Sequence, residues 1–190
     1  AIIKGTRDAT ILCSKAIVSM HSHKKNESTE YIEKAKKLLK QFKELGKDDL
    51  QKYLYIAEQE FVEAYCLFSI AENSVIPGKR SLEVSDTSYV MGLLDCIGEI
   101  KRMIIDKIRS EGTSNVNALF ELMDKIYGTI YPLAVYDNLM PGLRKKLDVS
   151  RILIENVRAI ITEEKRRTIM IEKIEEFEKK IMGSENTKRE

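Results

Sequence analysis

Apolar residues recur at spacings of three and four along almost the whole chain, and this helical period is the feature that most limits its fold. Alternation of apolar and polar residues over a strand length is hard to find, and only three prolines interrupt the sequence. The sequence therefore predicts an all-α fold with seven helices, with a tight turn at Gly46. They are placed near residues 7–23, 28–45, 48–73, 87–110, 114–131, 142–162 and 163–182.

Length and composition favour one domain over residues 1–190, with a frayed tail at 184–190. The chain is 43% hydrophobic and 33% charged, which is typical of a globular protein. No uncharged apolar run approaches the roughly 20 residues that a membrane span needs, and the N-terminus lacks the apolar core of a secretory signal, so we expect a cytoplasmic protein with no membrane partner. The formal net charge of +2 means that nucleic acid would have to be bound by local clusters of Lys and Arg.

The cysteines and histidines exclude several kinds of site. Cys13, Cys66 and Cys96 are far apart, odd in number and set in apolar helical contexts, so we expect them in the core rather than in disulfides or a metal knuckle. The only histidines, His21 and His23, end the first helix, so the ExxH pairs of a di-iron bundle are absent. We expect His21 to be a charge at a helix C-terminus rather than a general base. The GxGxxG, GxxxxGK[ST], GxSxG and HExxH signatures are also absent.

The third predicted helix carries two acids where apolar residues are expected. One of its rows reads Tyr53, Ile56, Glu60, Glu63, Leu67 and Ile70. Because both ends of this row are apolar, we expect Glu60 and Glu63 to be partly buried. Burying ionised carboxylates without compensation costs several kcal/mol, so the two acids need a cation or a shared proton. The cation would be either a Lys or Arg from a neighbouring helix or a divalent metal, for which two carboxylates one turn apart are suitable ligands.

The fourth predicted helix, 89–108, has a polar row with a glycine in it. The row contains Gly92, Asp95, Glu99, Arg102 and Asp106, opposite a core face of Leu93, Leu94, Ile97, Ile100 and Ile104. Asp95 and Glu99 are like charges four residues apart, which destabilises a helix unless a cation lies between them, and Arg102 is the candidate. Gly92 and Gly98 cost roughly 1 kcal/mol each in a helix, which suggests a close approach by another helix or a ligand. Taken alone, the row is better explained as a solvated face with a Glu99–Arg102 ion pair.

Clustered basic residues and one apolar seam indicate possible contact surfaces. Arg144, Lys145, Lys146 and Arg151 open the sixth predicted helix and form our preferred cluster for phosphate contacts, although most charge runs are solvated faces. In the last helix a narrow seam at a/d spacing indicates a helix that docks on a partner helix, in the same subunit or in another. The seam consists of Met170, Ile174, Phe177 and Ile181.

Five segments together resemble the translin family, and its TRAX branch more than translin itself. They are QEFVEAY (59–65), YVMGLLDCIGEIKR (89–102), TRDATILCSKAIVSMH (6–21), LMDKIYGTIYPLA (122–134) and LRKKLDVSRILIENVRAII (143–161). The first matches the Q-E-[YF]-V-E-A motif of that branch, the second its D-x-x-G-E-[LI]-x-R motif, and the third its R-D followed by a stretch that ends in His. The resemblance covers nearly the whole chain.

The resemblance implies a seven-helix bundle that assembles into a hollow homo-oligomer, commonly an octamer, around RNA or single-stranded DNA. TRAX-type subunits are Mg²⁺-dependent endoribonucleases, with Mn²⁺ as an alternative metal, and act on short duplex or single-stranded RNA. The motif matches place the metal ligands and catalytic acids at Glu60, Glu63 and, by a weaker match, Asp124, for which Glu121 is a competitor. They place Asp95 and Glu99, with Arg102, behind these ligands, and Arg7 with the basic cluster on nucleic acid. The alternative is a non-catalytic binding oligomer of the translin kind, with its acids paired to Lys or Arg.

Overall fold

The computed structural model describes residues 2–45, 51–73, 75–113 and 116–186, and every regular element in these ranges is helical. The predicted all-α class is therefore confirmed, while the predicted turn at Gly46 lies outside the described residues. A 3-10 helix, Tyr131–Tyr136, precedes the last α-helix. The α-helices are α1 (Ile2–His21), α2 (Lys25–Leu45), α3 (Gln51–Asn73), α4 (Lys79–Leu82), α5 (Asp86–Glu111), α6 (Asn117–Ile130) and α7 (Leu143–Asn186).

The seven α-helices are not the seven that the sequence predicts. The short α4 lies in a segment predicted as a break. The helices predicted at 142–162 and 163–182 are instead one continuous helix, α7, which extends into the predicted frayed tail as far as Asn186. The prediction of a break was wrong because residues 143–182 contain neither Gly nor Pro, and nothing else in their sequence ends a helix.

The helix α5 lies at the centre of the bundle, where it packs against α3, α6 and α7. Its predicted core face is confirmed, since Leu93, Leu94, Ile97, Ile100 and Ile104 are all buried. Each such side chain contributes roughly 1.5–3 kcal/mol when it is fully removed from water. On the other side of the bundle α1 packs on both α2 and α3. The acids of α3 and α5 therefore lie at a junction between packed helices.

The predicted close approach at a glycine is confirmed at Gly92 and not at Gly98. A Cβ atom on Gly92 would lie 2.5 Å from the backbone oxygen of Gln59 and 2.7 Å from Cβ of Val62, both on α3. A Cβ on Gly98 would meet only Leu153 Cδ1, at 3.9 Å. The missing side chain at position 92 thus lets α5 cross α3 at close range, next to Glu60.

The burial of α3 follows the predicted rows in part. Ala57, Phe61 and Ala64 of the core row are buried, and Leu67 of the second row is too. Ile56, however, is 58% exposed, although its row predicts burial. None of the helices in the described part of the chain combines the length and the apolarity that crossing a bilayer requires.

Candidate metal centre

The two glutamates of α3 and the two acids of α5 lie in one region of the bundle. Glu60 and Glu63 are half-buried, as predicted. Burial raises the pKa of both carboxyl groups, and repulsion from Asp95 on α5 raises both further. The crossing at Gly92, one turn before Asp95, brings these two faces together. Four carboxyl groups therefore share one site.

Asp95 is neutralised by a lysine from α7. Its Oδ2 accepts a hydrogen bond of 2.7 Å from Nε2 of Gln59, and its Oδ1 accepts one from Nζ of Lys146. Both partners of the ion pair are about a quarter exposed. Lys146 was predicted to contact nucleic acid, and the structure gives it this additional role within the acid site. Gln59 was not predicted, although its place beside Glu60 in the motif is a signal for it.

Glu99 is bonded to a histidine from α1 rather than to Arg102. His21 Nε2 lies 2.5 Å from Oε2 of Glu99, and the histidine side chain is only 5% exposed. Its Nδ1 lies 3.9 Å from Oδ2 of Asp106. The hydrogen bond from His21 lowers the pKa of Glu99, while Arg102 is exposed and makes a smaller electrostatic contribution. His21 lies in the last turn of α1, as predicted, and is also a buried partner of Glu99. Arg102 forms no ion pair with Asp95 or Glu99 among the described residues, so the prediction that it lies between them was wrong.

Glu60 and Glu63 themselves have no such partner. Within the described residues, neither carboxylate accepts a hydrogen bond or forms an ion pair. Burial and repulsion from Asp95, Glu60 and Glu99 raise the pKa of Glu63 to about 8, against the opposing effect of Lys146. Burial is the largest cause of this raised pKa, so without a cation the folded chain keeps a proton on Glu63 at neutral pH, and a bound cation would displace it.

Cys13 of α1 closes the site on a third side. Burial, followed by repulsion from Glu60 and Glu63, raises the pKa of its thiol to about 12. A thiol with this pKa is inert as a nucleophile at neutral pH. The prediction that all three cysteines are buried in the core is confirmed.

The structure does not bring Asp124 to the glutamates. Both of its carboxylate oxygens lie 3.3 Å from the guanidinium of Arg158 on α7, whose cation also covers the Phe120 ring. Glu121 is exposed on the same helix and lines a different cleft, with Lys107 and Lys125. The third acid beside the pair is instead Asp95, whose helix α5 packs along α3.

The donor set meets only the smaller of two requirements for a divalent metal. Among the described residues, no group of three or more His, Cys, Asp and Glu side chains is arranged to hold a metal ion. Mg²⁺, however, usually keeps several waters and takes only one or two carboxylates from the protein, with substrate phosphates completing the shell. Glu60 and Glu63, unpaired and half-buried, fit that smaller requirement.

The residues of the predicted basic cluster make different contacts in the structure. The Arg144 side chain donates from Nε to the Ala134 carbonyl at 3.1 Å and so anchors the 3-10 helix. Arg151 lies 3.7 Å from Asp148, and Arg7 is exposed on α1. A cleft of about 410 Å³ between α5 and α7 is lined by Lys145, Lys146 and Asp95 among others. This cleft gives access from the basic start of α7 to the acid site.

Solved structures share this fold. The structure of AfC3PO in complex with duplex RNA has a TM-score of 0.80 and 27% identity, covering 88% of this chain and 89% of that one. The crystal structure of AfC3PO has a TM-score of 0.78 and 28% identity over 88% and 90%. Apo-NeC3PO, with a TM-score of 0.78 and 22% identity over 86% and 87%, supports the fold alone.

Sequence comparison agrees with the fold. An uncharacterised protein of Methanocaldococcus jannaschii is 28% identical over 159 residues, which are 81% of this chain and 70% of that protein. The sequence model of the Translin family matches residues 1–162. These residues include all four acids of the site and end one residue after Ile161, the last buried side chain of α7. The chain belongs to the translin family.

Proposed function

We propose that this chain is a Mg²⁺-dependent endoribonuclease whose metal is held by Glu60 and Glu63. The observation that carries the proposal is a difference in bonding partners among four neighbouring acids. Asp95 is paired with Lys146 and Glu99 with His21, while the two glutamates of α3 have no partner among the described residues. The two unpaired glutamates can hold a proton or bind a cation, and the proposed metal would displace the proton that the raised pKa keeps on Glu63.

The charges around the site support a cation as the missing partner. Burial, and then repulsion from three neighbouring carboxyl groups, keep the pKa of Glu63 near 8. A divalent ion beside Glu60 and Glu63 would offset that repulsion, because an opposite charge at close range favours the ionised carboxylate. Mg²⁺ is the hard cation that such oxygen ligands suit, with Mn²⁺ as the alternative.

RNA as the substrate is supported by the relatives. AfC3PO, which is similar to this chain over most of its length, was solved in complex with duplex RNA. We propose that this chain likewise binds RNA, within a hollow homo-oligomer that the family resemblance suggests is an octamer. Lys145 is exposed at the cleft that leads to Asp95, and Arg151 is exposed one turn and a half further along α7. Phosphate contacts from these residues would give affinity that falls steeply with salt and is nearly blind to sequence.

The chemistry needs no protein nucleophile. When bound, Mg²⁺ supplies stabilisation of charge on the phosphodiester and activation of water for attack. Residues of this chain hold the neighbouring acids in place. Gln59 and Lys146 bind Asp95 on one side of the glutamates, and His21 binds Glu99 behind them. Cys13 is protonated and excluded from the reaction by its raised pKa.

A second function, non-catalytic binding of RNA or single-stranded DNA, is favoured by a different observation. Lys146 is close enough to lower the pKa of both Glu60 and Glu63. If a small rearrangement let its ammonium serve the glutamates as well as Asp95, the acids would be neutralised without a metal. The two functions differ in whether Mg²⁺ binds at all.

The experiment compares cleavage of end-labelled duplex and single-stranded RNA by the wild type and by a Glu60→Gln, Glu63→Gln double variant, with Mg²⁺, Mn²⁺ or EDTA. We expect cleavage by the wild type with either metal, none with EDTA, and none by the double variant, whose RNA binding persists. Asp124→Asn is the matched control, since it removes an acid charge outside the site. Cleavage by the double variant at the wild-type rate overturns the metal assignment, and metal-independent binding without cleavage by the wild type supports the second function.

A further inference from the structure

The second half of α7 leaves the bundle as a solitary helix. Ile161 is the last buried residue, and every described side chain from 165 to 181 is exposed. At 1.5 Å per residue, the helix from residue 163 to Asn186 extends roughly 35 Å. The match to the family model also ends at residue 162, so this segment lies outside the matched part. We call residues 163–181 the spur.

The spur exposes an apolar stripe that a helix in water would not keep. Met170 is 65% exposed, Ile174 48% and Phe177 64%, and Ile181 continues the same row. Their spacings of four, three and four are those of alternating a and d positions in a coiled coil. The chain cannot fold the stripe back onto its own bundle, because no Gly or Pro interrupts α7 before residue 183.

The charges beside the stripe favour a second copy of this chain as the partner, with the two helices parallel. With Ile174 and Ile181 at a positions, the preceding g positions carry Lys173 and Lys180, and the e position after Phe177's d position carries Glu178. In a parallel pair each g residue faces the e residue five positions later in the other helix, which sets Lys173 against Glu178 of the second copy. In an antiparallel pair g faces g, which would set lysine against lysine.

We propose that two copies of this chain pair through their spurs as a short parallel coiled coil. Met170, Ile174 and Phe177 form the buried seam, with Lys173 and Glu178 as the flanking ion pair between copies. Within one chain Lys173 is bonded to Glu176 at 2.9 Å, a surface pair with both partners mostly exposed. Such pairs contribute little, so exchanging it for a pair across the seam costs little. The proposal does not rest on nuclease activity.

The test is disulfide cross-linking of the full-length chain in a glutathione redox buffer. Ile174→Cys places a thiol in the seam, where the same position of two parallel helices meets. Glu172→Cys, on the outer face of the same helix, is the matched control, and the three native cysteines are buried. We expect the seam variant to form a disulfide dimer at several times the yield of the control.

Charge reversal then tests the direction of pairing. In the Ile174→Cys background, Lys173→Glu or Glu178→Lys alone should lower the dimer yield several-fold, because each creates a like-charge contact. Both together should restore it. These residues are exposed, and circular dichroism checks that the helix is retained. A seam yield equal to the control, or failure of the double reversal to restore it, overturns the proposal, whatever the result of the RNA-cleavage assay.

Discussion

The acid pair on α3 and the acid pair on α5 share one site but differ in their bonding partners. Asp95 and Glu99 each have a bonding partner from another helix, Lys146 of α7 and His21 of α1. Glu60 and Glu63 have none within the described residues, and the pKa of Glu63 is raised to about 8 by burial and by repulsion from the neighbouring carboxyl groups. The α5 pair is therefore held by side chains of other helices, whereas the α3 pair is left without a partner in the described part of the chain.

The largest expected effect comes from removing one charge of the α3 pair. We expect Glu63→Gln to lower Mg²⁺-dependent RNA cleavage by more than about 100-fold, because metal charge stabilisation is worth several kcal/mol and each 1.4 kcal/mol is tenfold in rate. Single-turnover cleavage of labelled RNA measures it. A rate within about twofold of the wild type would contradict the comparison.

The contact that aligns the two pairs can be broken at Gly92. The Cβ of Gly92→Ala would lie 2.5 Å from a backbone oxygen of α3, so we expect a loss of about 2 kcal/mol in the free energy of unfolding. Gly98→Ala on the same helix is the control, since its Cβ has 3.9 Å of room. There we expect a gain of up to about 1 kcal/mol from better helix propensity. Urea denaturation measures both, and equal effects would contradict the assignment.

His21 should affect RNA cleavage through its hydrogen bond with Glu99. We expect His21→Ala to lower Mg²⁺-dependent cleavage about tenfold, since residues that orient a metal site typically contribute 10–100-fold. His21→Gln should retain most activity, because its amide can still donate to Glu99. His23→Ala, two residues away and exposed, is the control. Equal losses in the Ala and Gln variants would mean that His21 acts by packing alone.

The raised pKa of Glu63 predicts a pH dependence of stability. Between 4.5, the ordinary value for glutamate, and about 8, the folded chain keeps a proton on Glu63 that the unfolded chain has released. Without Mg²⁺, this group therefore makes stability fall as pH rises through that window. The groups facing it are Glu60, Asp95, Glu99, Lys146 and the Cys13 thiol.

Mg²⁺ should reverse that trend, because binding requires the ionised carboxylate. We expect the rise in Tm on adding Mg²⁺ to be larger at pH 8 than at pH 6. Glu63→Gln should abolish both the pH dependence attributed to this group and the effect of Mg²⁺. Thermal melts at the two pH values measure this, and an unchanged slope in the variant would contradict it.

The smallest effect is expected at Asp124. Its carboxylate is paired with Arg158 away from the glutamates, so Asp124→Asn should leave RNA cleavage within about twofold and change stability by less than about 1 kcal/mol. A large loss of activity would restore Asp124 as a metal ligand, as the family resemblance implies. The cleavage assay used for Glu63→Gln measures it directly.

The parts of the fold that the sequence predicts well are those that a local pattern determines. The core face of α5 follows from a 3.6-residue period, and the close approach at Gly92 follows from the cost of glycine inside a helix. The break predicted near residue 162 was wrong, since every residue from 143 to 182 is compatible with a helix. The absence of Gly and Pro was the better signal.

The site was predicted only as far as one helix at a time allows. Glu60 and Glu63 are detectable because they interrupt an apolar row within α3. The pairing of His21 with Glu99 joins residues 78 apart, and no spacing in the sequence encodes it. The same holds for Lys146 and Asp95, 51 residues apart. The sequence indicates that a buried acid needs a partner, but only the packing of the helices determines which residue that partner is.

The crossing at Gly92 also has a genetic consequence. Every missense change of a single base in a glycine codon introduces an amino acid that has a Cβ atom. At this position each of those residues would meet the backbone of α3 before any difference in polarity or size came into play. In a mutational scan, position 92 should therefore reject conservative and radical replacements alike.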